Sequence, residues 1–377
     1  MTDQPPLRIA VVYIAEAYQC YHGAAAALRL AAEPDVEVTS FCFDPDTPRH
    51  VDRIHRAFGA PPMVMRPLRR SAWTRALQNL KVLGSFKHLT LRDNHAVLDG
   101  FDAIFTVENT LAMARAEGIE RPRLIYTPHG FGDRAYAFVD RIATFDFVLL
   151  AGRKTEDRML EAGLIRPGDY ALTGPIKLET ADKLTLCEAP LFADDRPVVL
   201  YNPHFQPELN SWRRFLQPML SSFAAQDRFN LIVAPHVKMF RKASPAKRQQ
   251  VEAQSAPAIH IDTGSDRSVD SSYVSAASIY VGDVSSQVYD FIATPRPCVF
   301  LNAHGVDWRD DPNYVHWHLG DVVDDTAELM PAIAAAGDRH ALYRERQEEL
   351  ASATLGDRSG SPSQRAADAV LRFLRRG

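Results

Sequence analysis

IYVGDVSSQVYDFIATPRPCVFLN, residues Ile279 to Asn302, divides into strand, turn, helix and strand. Ile279–Val281 is a short apolar run of the kind that forms a buried strand, and Gly282-Asp283-Val284-Ser285-Ser286 is a turn that opens a helix over Gln287–Ala293. Thr294-Pro295-Arg296-Pro297 stops that helix, and Cys298–Leu301 is the next strand. A helix that starts at the C-terminal end of a buried parallel strand turns unpaired N–H groups towards the crevice of its sheet, where a phosphate can be held. Ser285 and Ser286 would add hydroxyl donors, and Gly282 would let a ligand approach the backbone. Simple helix capping by Asp283 or Ser285 explains the same letters.

Outward from this stretch, strands and helices alternate along most of the chain. Leu7–Ile14, Val36–Phe43, Asp102–Val107, Arg123–Thr127, Phe145–Leu150 and Tyr170–Thr173 read as strands. Helices are expected near Tyr21–Ala32, His50–Phe58, Asn109–Glu117 and Lys154–Ala162. The periodicity fades over Lys177–Arg196 and resumes with strands at Val198–Tyr201, Asn230–Ala234 and Ala258–Ile261. Such alternation implies parallel sheets covered on both faces. The expected fold class is therefore α/β, with two Rossmann-like doubly wound domains facing across a cleft, residues 1–176 and 177–377. A final helix begins with Ser361 as N-cap, Pro362 at the first helical position and Gln364 completing a capping box, and it could cross back to the first domain.

At 377 residues, two domains are the natural reading. A net charge of −4 gives no general attraction to nucleic acid, so no nucleic-acid partner is expected. Cys20, Cys42, Cys187 and Cys298 lack metal-type spacing, which points to a reducing, cytoplasmic setting with neither disulfides nor a metal site. The acidic stretch Asp307–Asp311 has no ligand spacing and reads as a solvated loop. The N-terminal residues do not resemble a signal peptide, and no apolar run approaches the roughly 20 residues of a membrane span.

Met65 to Arg92 stands apart. It carries Arg66, Arg69, Arg70, Arg75, Lys81, Lys87 and Arg92, while Trp73, Ala76, Leu77, Leu80 and Leu83 recur at helical spacing. A basic amphipathic helix of this kind suits peripheral contact with the inner face of a membrane, or a polyanionic acceptor meeting Arg69 and Arg70. An ordinary domain helix with solvated charges is the plain alternative.

Several chemistry-bearing residues fall at the ends of strands: His129 and Gly130 in the first half, His204, His236 and the Asp283–Ser286 turn in the second. Here the chain resembles a family. Tyr126-Thr127-Pro128-His129-Gly130 is similar to the "HG" motif of the CDP-glycerol glycerophosphotransferases, the teichoic acid primases and polymerases. Val199–Pro203 is similar to their "LYAPT" segment, Ile232–His236 to "RPH", and Asp283–Ser286 with Tyr289-Asp290-Phe291 to "DYSSxxFDF". Leu172–Pro175 falls where the family has "GxPR", and Gly356-Asp357 to Gln364 resembles a glycine-and-serine motif before the last helix. Ala234 stands in place of the "RPH" arginine, Asn202-Pro203-His204 in place of "APT", and Val284 in place of the "DYSS" tyrosine.

The resemblance implies a GT-B fold and transfer of a glycerophosphate or related polyol-phosphate unit from a CDP-alcohol to an acceptor hydroxyl, in teichoic-acid-like polymer synthesis at the cell envelope. It brings no tightly bound cofactor. The donor would be a nucleotide-activated substrate and the acceptor a polyol-phosphate, glycan or lipid-linked chain. His129 would be the base, since histidine's ordinary pKa of about 6.5 lets a neutral imidazole take a proton in the cytosol. His236 would donate to the phosphate. Gly282, Asp283, Ser285, Ser286, His204 and Ser363 would surround the nucleotide and its phosphates, and Gly130 the acceptor. The capping box also accounts for Ser361 alone, and Asp283 suits orienting the turn better than touching a phosphate, because like charges repel.

Three alternatives stand beside this. One is a GT-B glycosyltransferase using a nucleotide sugar for capsule or lipopolysaccharide. Another is a UDP-sugar 2-epimerase, which requires acidic active-site residues that the sequence does not identify. The last is a nucleotide-binding scaffold without catalysis.

Overall fold

The computed structural model describes residues 5–79, 87–130, 138–185 and 189–376. The chain forms two compact units. Among the described residues, one takes in 5–79, 87–130, 138–184 and 353–376, and the other 185 and 189–352.

The first unit is built on a seven-stranded sheet. Its strands are β1 (Leu7–Tyr13), β2 (Val36–Cys42), β3 (Met65–Pro67), β4 (Ala103–Thr106), β5 (Arg123–Tyr126), β6 (Phe147–Leu150) and β7 (Tyr170–Leu172). They lie in the order β3-β2-β1-β4-β5-β6-β7, and every pairing is parallel. Ile9 pairs with Val38 on one side and Ala103 on the other, so β1 sits centrally. Its residues Ile9 to Tyr13 are buried, because helices cover both faces of the sheet. One core joins Val12, Ile14, Phe41, Leu91, Ile104, Leu124 and Val148.

The second unit repeats the plan with six strands: β8 (Val198–Asn202), β9 (Asn230–Val233), β10 (Ile259–Ile261), β11 (Ile279–Gly282), β12 (Cys298–Leu301) and β13 (Asp321–Val323). Their order is β10-β9-β8-β11-β12-β13, again all parallel. Val199, Leu231, Val281 and Val299 meet Phe215, Met219 and Phe223 of the helix Trp212–Ala224 in its core.

In each unit the chain lays its first strands to one side and later ones to the other. The order reverses between β1 and β4, and between β8 and β11. At such a reversal the two following loops run in opposite directions and leave a crevice above the strand ends.

Several elements differ from the sequence reading. Lys177–Arg196, where periodicity fades, opens with a helix over Ile176–Thr185; Ile176, Thr180, Ala181 and Leu184 bury one face although two lysines and two acids interrupt the pattern. Asn109–Glu117 is two short 3-10 segments instead of one helix. The helix after the Asp283 turn ends at Phe291, two residues early. Strands β3 and β13 and the helix Pro245–Glu252 were too short or too polar to show periodicity. The last helix starts as expected: Ser361 Oγ accepts from the Gln364 N–H at 3.2 Å. Its capping box is only half made, because the Gln364 amide turns to Asp368 at 2.9 Å.

Candidate functional site

In the second unit the crevice between β8 and β11 is organised by Asp283. Its Oδ1 accepts the His204 N–H at 2.8 Å. Its Oδ2 accepts the Ser211 N–H at 2.8 Å and the Ser211 hydroxyl at 3.0 Å. The Asp283 carbonyl accepts Trp317 Nε1–H at 3.0 Å and His316 Nε2–H at 3.2 Å. The side chain is buried, and that burial pushes its carboxyl up to about 6 even though the Ser211 and His204 N–H groups pull the other way. Asp283 therefore fastens the loop after β8 to the turn after β11. Its carboxylate is occupied by protein donors, so it shapes the turn and does not reach a phosphate.

Packing within its own strand also requires glycine at 282. A Cβ there would lie 2.7 Å from the Tyr280 ring, a fully buried side chain on the same face of β11. Ser285 is also buried, and its Oγ accepts the Gln287 N–H at 3.3 Å, so it partly caps the short helix Gln287–Phe291. Ser286 is the exposed hydroxyl of the turn. With only five helical residues, the turn offers local N–H groups and a hydroxyl more than an extended dipole.

Around this turn stand two histidines held in one tautomeric sense. The Gln206 N–H donates to His204 Nδ1 at 3.1 Å, and the Lys238 N–H to His236 Nδ1 at 3.2 Å. A ring nitrogen that accepts carries no proton, so in each neutral ring the proton sits on Nε2 and the ring is a donor there. Phe205 packs against both, its centroid 4.4 Å from that of His204 and 4.9 Å from that of His236, and the two imidazole centroids are 5.8 Å apart. Ala234, where the resembled motif has arginine, is buried, and its carbonyl accepts Asn202 Nδ2–H at 2.6 Å.

In the first unit His129 follows β5 on an exposed loop. Its Nδ1 lies 2.8 Å from the Val107 carbonyl. A carbonyl can only accept, so Nδ1 carries the proton and the neutral ring keeps its lone pair on Nε2. This is the opposite tautomer to His204 and His236. The adjoining Gly130 has φ +130°, a conformation that side-chain-bearing residues rarely adopt, and among the described residues no atom lies near where its Cβ would be.

Two neighbours of His129 escaped the sequence reading. Glu108, two residues past β4, is buried and pairs with Lys87 at 3.4 Å. Burial alone would raise its carboxyl; the charges of His129 and Lys87 outweigh that and hold it below its ordinary value. His22, after β1, meets His129 edge to face with centroids 6.3 Å apart. Burial, then the charges of Lys177 and His129, hold His22 well below its ordinary value, which keeps it neutral. The usable signal was topological: Glu108 ends the apolar run of β4, and β1 and β4 flank the strand reversal. Beside them His22, Thr127, Gly130, Thr155, Pro175 and Lys177 line a small cleft that opens to solvent.

The remaining candidates lie elsewhere. Ser363 is 0% exposed: its N–H donates to Glu179 Oε2 at 2.6 Å and its hydroxyl to Oε1 at 3.0 Å. Glu179 thereby caps the last helix and takes up the Ser363 N–H and hydroxyl. Arg69 and Arg70 follow β3, four strands from β5, about 19 Å at ordinary strand spacing. Asn94 clamps the Arg69 main chain at 2.9 Å on both sides, and the Arg70 guanidinium lies over the Phe43 ring at 5.1 Å. The sheet therefore does not bring either arginine beside His129.

Within the basic stretch, Ala72–Asn79 and Lys87–Leu98 are helices. The first is held from the side of Thr74, whose hydroxyl donates to Asp93 at 2.6 Å. Trp73, 66% exposed, and Ala76 face outward. Leu80, Lys81 and Leu83 lie outside the described residues, as does Cys187. Among the described residues, no group of acidic, cysteine and histidine side chains could hold a metal ion, and no helix is long and apolar enough to cross a membrane.

No family model matches the chain, and no curated protein does. Solved structures do. The chain is similar to the wall teichoic acid polymerase TagF soaked with CDPG, at TM-score 0.67 and 12% identity, over 99% of this chain and 90% of that one. It is similar to a UDP-GlcNAc 2-epimerase from Neisseria meningitidis bound to UDP-GlcNAc, at TM-score 0.63 and 12% identity, over 98% of this chain and 100% of that one. The UDP co-structure of MnaA from S. aureus matches at TM-score 0.61 and 14% identity, over 99% and 97%. At such identities the likeness is one of fold, and the fold is GT-B.

Proposed function

We propose that this chain is a transferase that moves a glycerophosphate, or a related polyol-phosphate, from a CDP-alcohol to an acceptor hydroxyl. The observation that carries the reading is the tautomer assignment: a lone pair on His129 Nε2, and protons on Nε2 of His204 and His236. Transfer needs one group that takes a proton and others that give hydrogen bonds to phosphoryl oxygens. In this reading the acceptor oxygen attacks the phosphorus that bears the polyol, a new P–O bond forms, and the P–O bond to the CMP phosphate breaks. The hydroxyl proton passes to His129 Nε2. His204, His236 and the Ser286 turn hold the diphosphate and offset the charge that builds on it as CMP leaves. Ser285 supports the turn from beneath. The solved structures of similar fold include a teichoic acid polymerase and UDP-bound enzymes, which supports a nucleotide-activated donor.

Peripheral attachment to the cytoplasmic face of a membrane belongs to the same proposal. An ordinary domain helix buries its apolar stripe, whereas Trp73 and Ala76 face outward among Arg69, Arg70 and Arg75, as suits an anionic lipid surface.

A second reading has a specific observation in its favour. Glu108 supplies beside His129 the buried carboxylate that a nucleotide-sugar enzyme of the epimerase type requires. Calorimetric titration of the full chain with CDP, CDP-glycerol, UDP and UDP-sugars distinguishes the two. The transferase reading expects CDP and CDP-glycerol to bind best, with about tenfold weaker binding after Ser286→Ala. Tighter binding of UDP-sugars would favour the second reading, and an unchanged dissociation constant would remove Ser286 from the site.

A further inference from the structure

We infer that the Lys238 ammonium is a further ligand for the diphosphate of the donor, working beside His204 and His236 from the loop after β9. The inference rests on the reading that the second unit holds a nucleotide-activated donor by its diphosphate. It adds a full positive charge to the imidazole and hydroxyl donors already described.

Strands β8 and β9 are parallel neighbours, with Tyr201 beside Val233, so the loops that follow them leave the same edge of the sheet. The His236 N–H donates to the Pro203 carbonyl at 3.0 Å and ties the two loops together. Each loop then makes the same small turn. The main-chain N–H two residues past the histidine, Gln206 in one loop and Lys238 in the other, donates to that histidine's Nδ1. The side chains of these two residues go different ways. The Gln206 amide donates to Glu208 Oε1 at 3.2 Å. Lys238 folds back instead, its Nζ 5.5 Å from the centre of the Phe205 ring, which packs against both imidazoles.

An exposed ammonium above an aromatic face is held weakly, and a phosphoryl oxygen offers it a stronger, charge-assisted hydrogen bond. Lys238 is exposed and, among the described residues, pairs with no carboxylate. Its four-carbon stem is flexible, so the ammonium can move from Phe205 to a phosphate while the Lys238 N–H stays on His236 Nδ1. One residue thus serves the same imidazole twice. Its N–H fixes the proton on Nε2, and its ammonium brings charge to the oxygens that Nε2 addresses. Ala234, at the start of this loop, has no charge to offer; it is buried and its carbonyl is taken by Asn202. A ligand without phosphate gains nothing from Lys238, which separates a charge contact from a packing one.

The test is calorimetric titration of the full-length chain with CDP, UDP, inorganic pyrophosphate and cytidine, at low and high salt, for wild type, Lys238→Met and Lys238→Arg. The inference expects Lys238→Met to weaken pyrophosphate and CDP, or UDP where that is the nucleotide that binds, about 10- to 100-fold at low salt. Cytidine binding and the melting temperature should not change. Lys238→Arg keeps the charge and should stay within about threefold of wild type. Added salt should weaken diphosphate binding more in wild type than in Lys238→Met, because it screens the charge pair. A loss shared equally by cytidine and CDP, an arginine variant as weak as the methionine one, or equal salt dependence in both proteins would mean a merely structural part and overturn the inference. So would an unchanged diphosphate affinity in Lys238→Met, or no measurable binding of any diphosphate to wild type. The two proposals fail separately. UDP bound through Lys238 in preference to CDP sinks the CDP-alcohol transferase reading alone. CDP bound equally well by wild type and Lys238→Met sinks the lysine contact alone.

Discussion

Replacing Asp283 with asparagine removes a charge and one acceptor while keeping the shape. Burial lifts the carboxyl from 3.8 to about 6. The unfolded chain loses that proton near 3.8 and the folded chain near 6, so between those values the folded state holds more protons and stability falls as pH rises. Above about 6 the loss is complete, at about 3 kcal/mol. Asparagine carries no such penalty at any pH. It does turn an N–H towards the Ser211 N–H, which forfeits a buried hydrogen bond and costs about 1–3 kcal/mol. Asp283→Asn should therefore be about 1–3 kcal/mol less stable than wild type at pH 4, and equal to it or slightly more stable at pH 7. Urea unfolding at pH 4, 5.5 and 7, followed by near-ultraviolet circular dichroism of the tryptophans, reads the difference; Trp317 bonds to the Asp283 carbonyl and reports on this turn. Acid effects shared by both proteins cancel in the comparison. A gap that ignores pH, or one that widens towards pH 7, would refute the argument that this carboxylate is held against the cost of its burial.

His129→Ala should lower turnover by about 10²–10⁴ and leave nucleotide affinity nearly unchanged, measured by steady-state kinetics alongside calorimetry; a loss of affinity with normal turnover of bound substrate would remove His129 as the base. Ser363→Ala breaks a buried bond to Glu179, so it should destabilise the first unit by about 1–2 kcal/mol in urea and not alter CDP binding. Trp73→Ser should weaken binding to phosphatidylserine vesicles about tenfold or more in a sedimentation assay, with little binding of either protein to neutral vesicles.

The sequence carried the architecture well because strand ends are written locally. Cys298–Leu301 is bounded by Pro297 and a polar turn, and β12 has those same limits. Ser361-Pro362 likewise marks where the last helix begins. What stayed hidden depends on neighbours far away in the chain. Glu108 and His22 join His129 only because β1, β4 and β5 lie side by side, an order that no local pattern records. Gly282 has a packing reason that the letters did not show, the Tyr280 ring two residues earlier on the same strand face. Ser363 looked available until Glu179, from a stretch without visible periodicity, proved to be its partner. The Trp73 stripe showed helical spacing but not its direction, which Asp93 sets from the next helix.

The most direct test of the central claim is to incubate the full chain with CDP-glycerol and a glycerol-phosphate-bearing acceptor, then follow nucleotide release by chromatography and acceptor mass by mass spectrometry. The account predicts CMP released in step with acceptor growth by one glycerophosphate at a time, with both slowed together by about 10²–10⁴ in His129→Ala. Release of UDP from a UDP-sugar, with CDP-glycerol left intact, would contradict it.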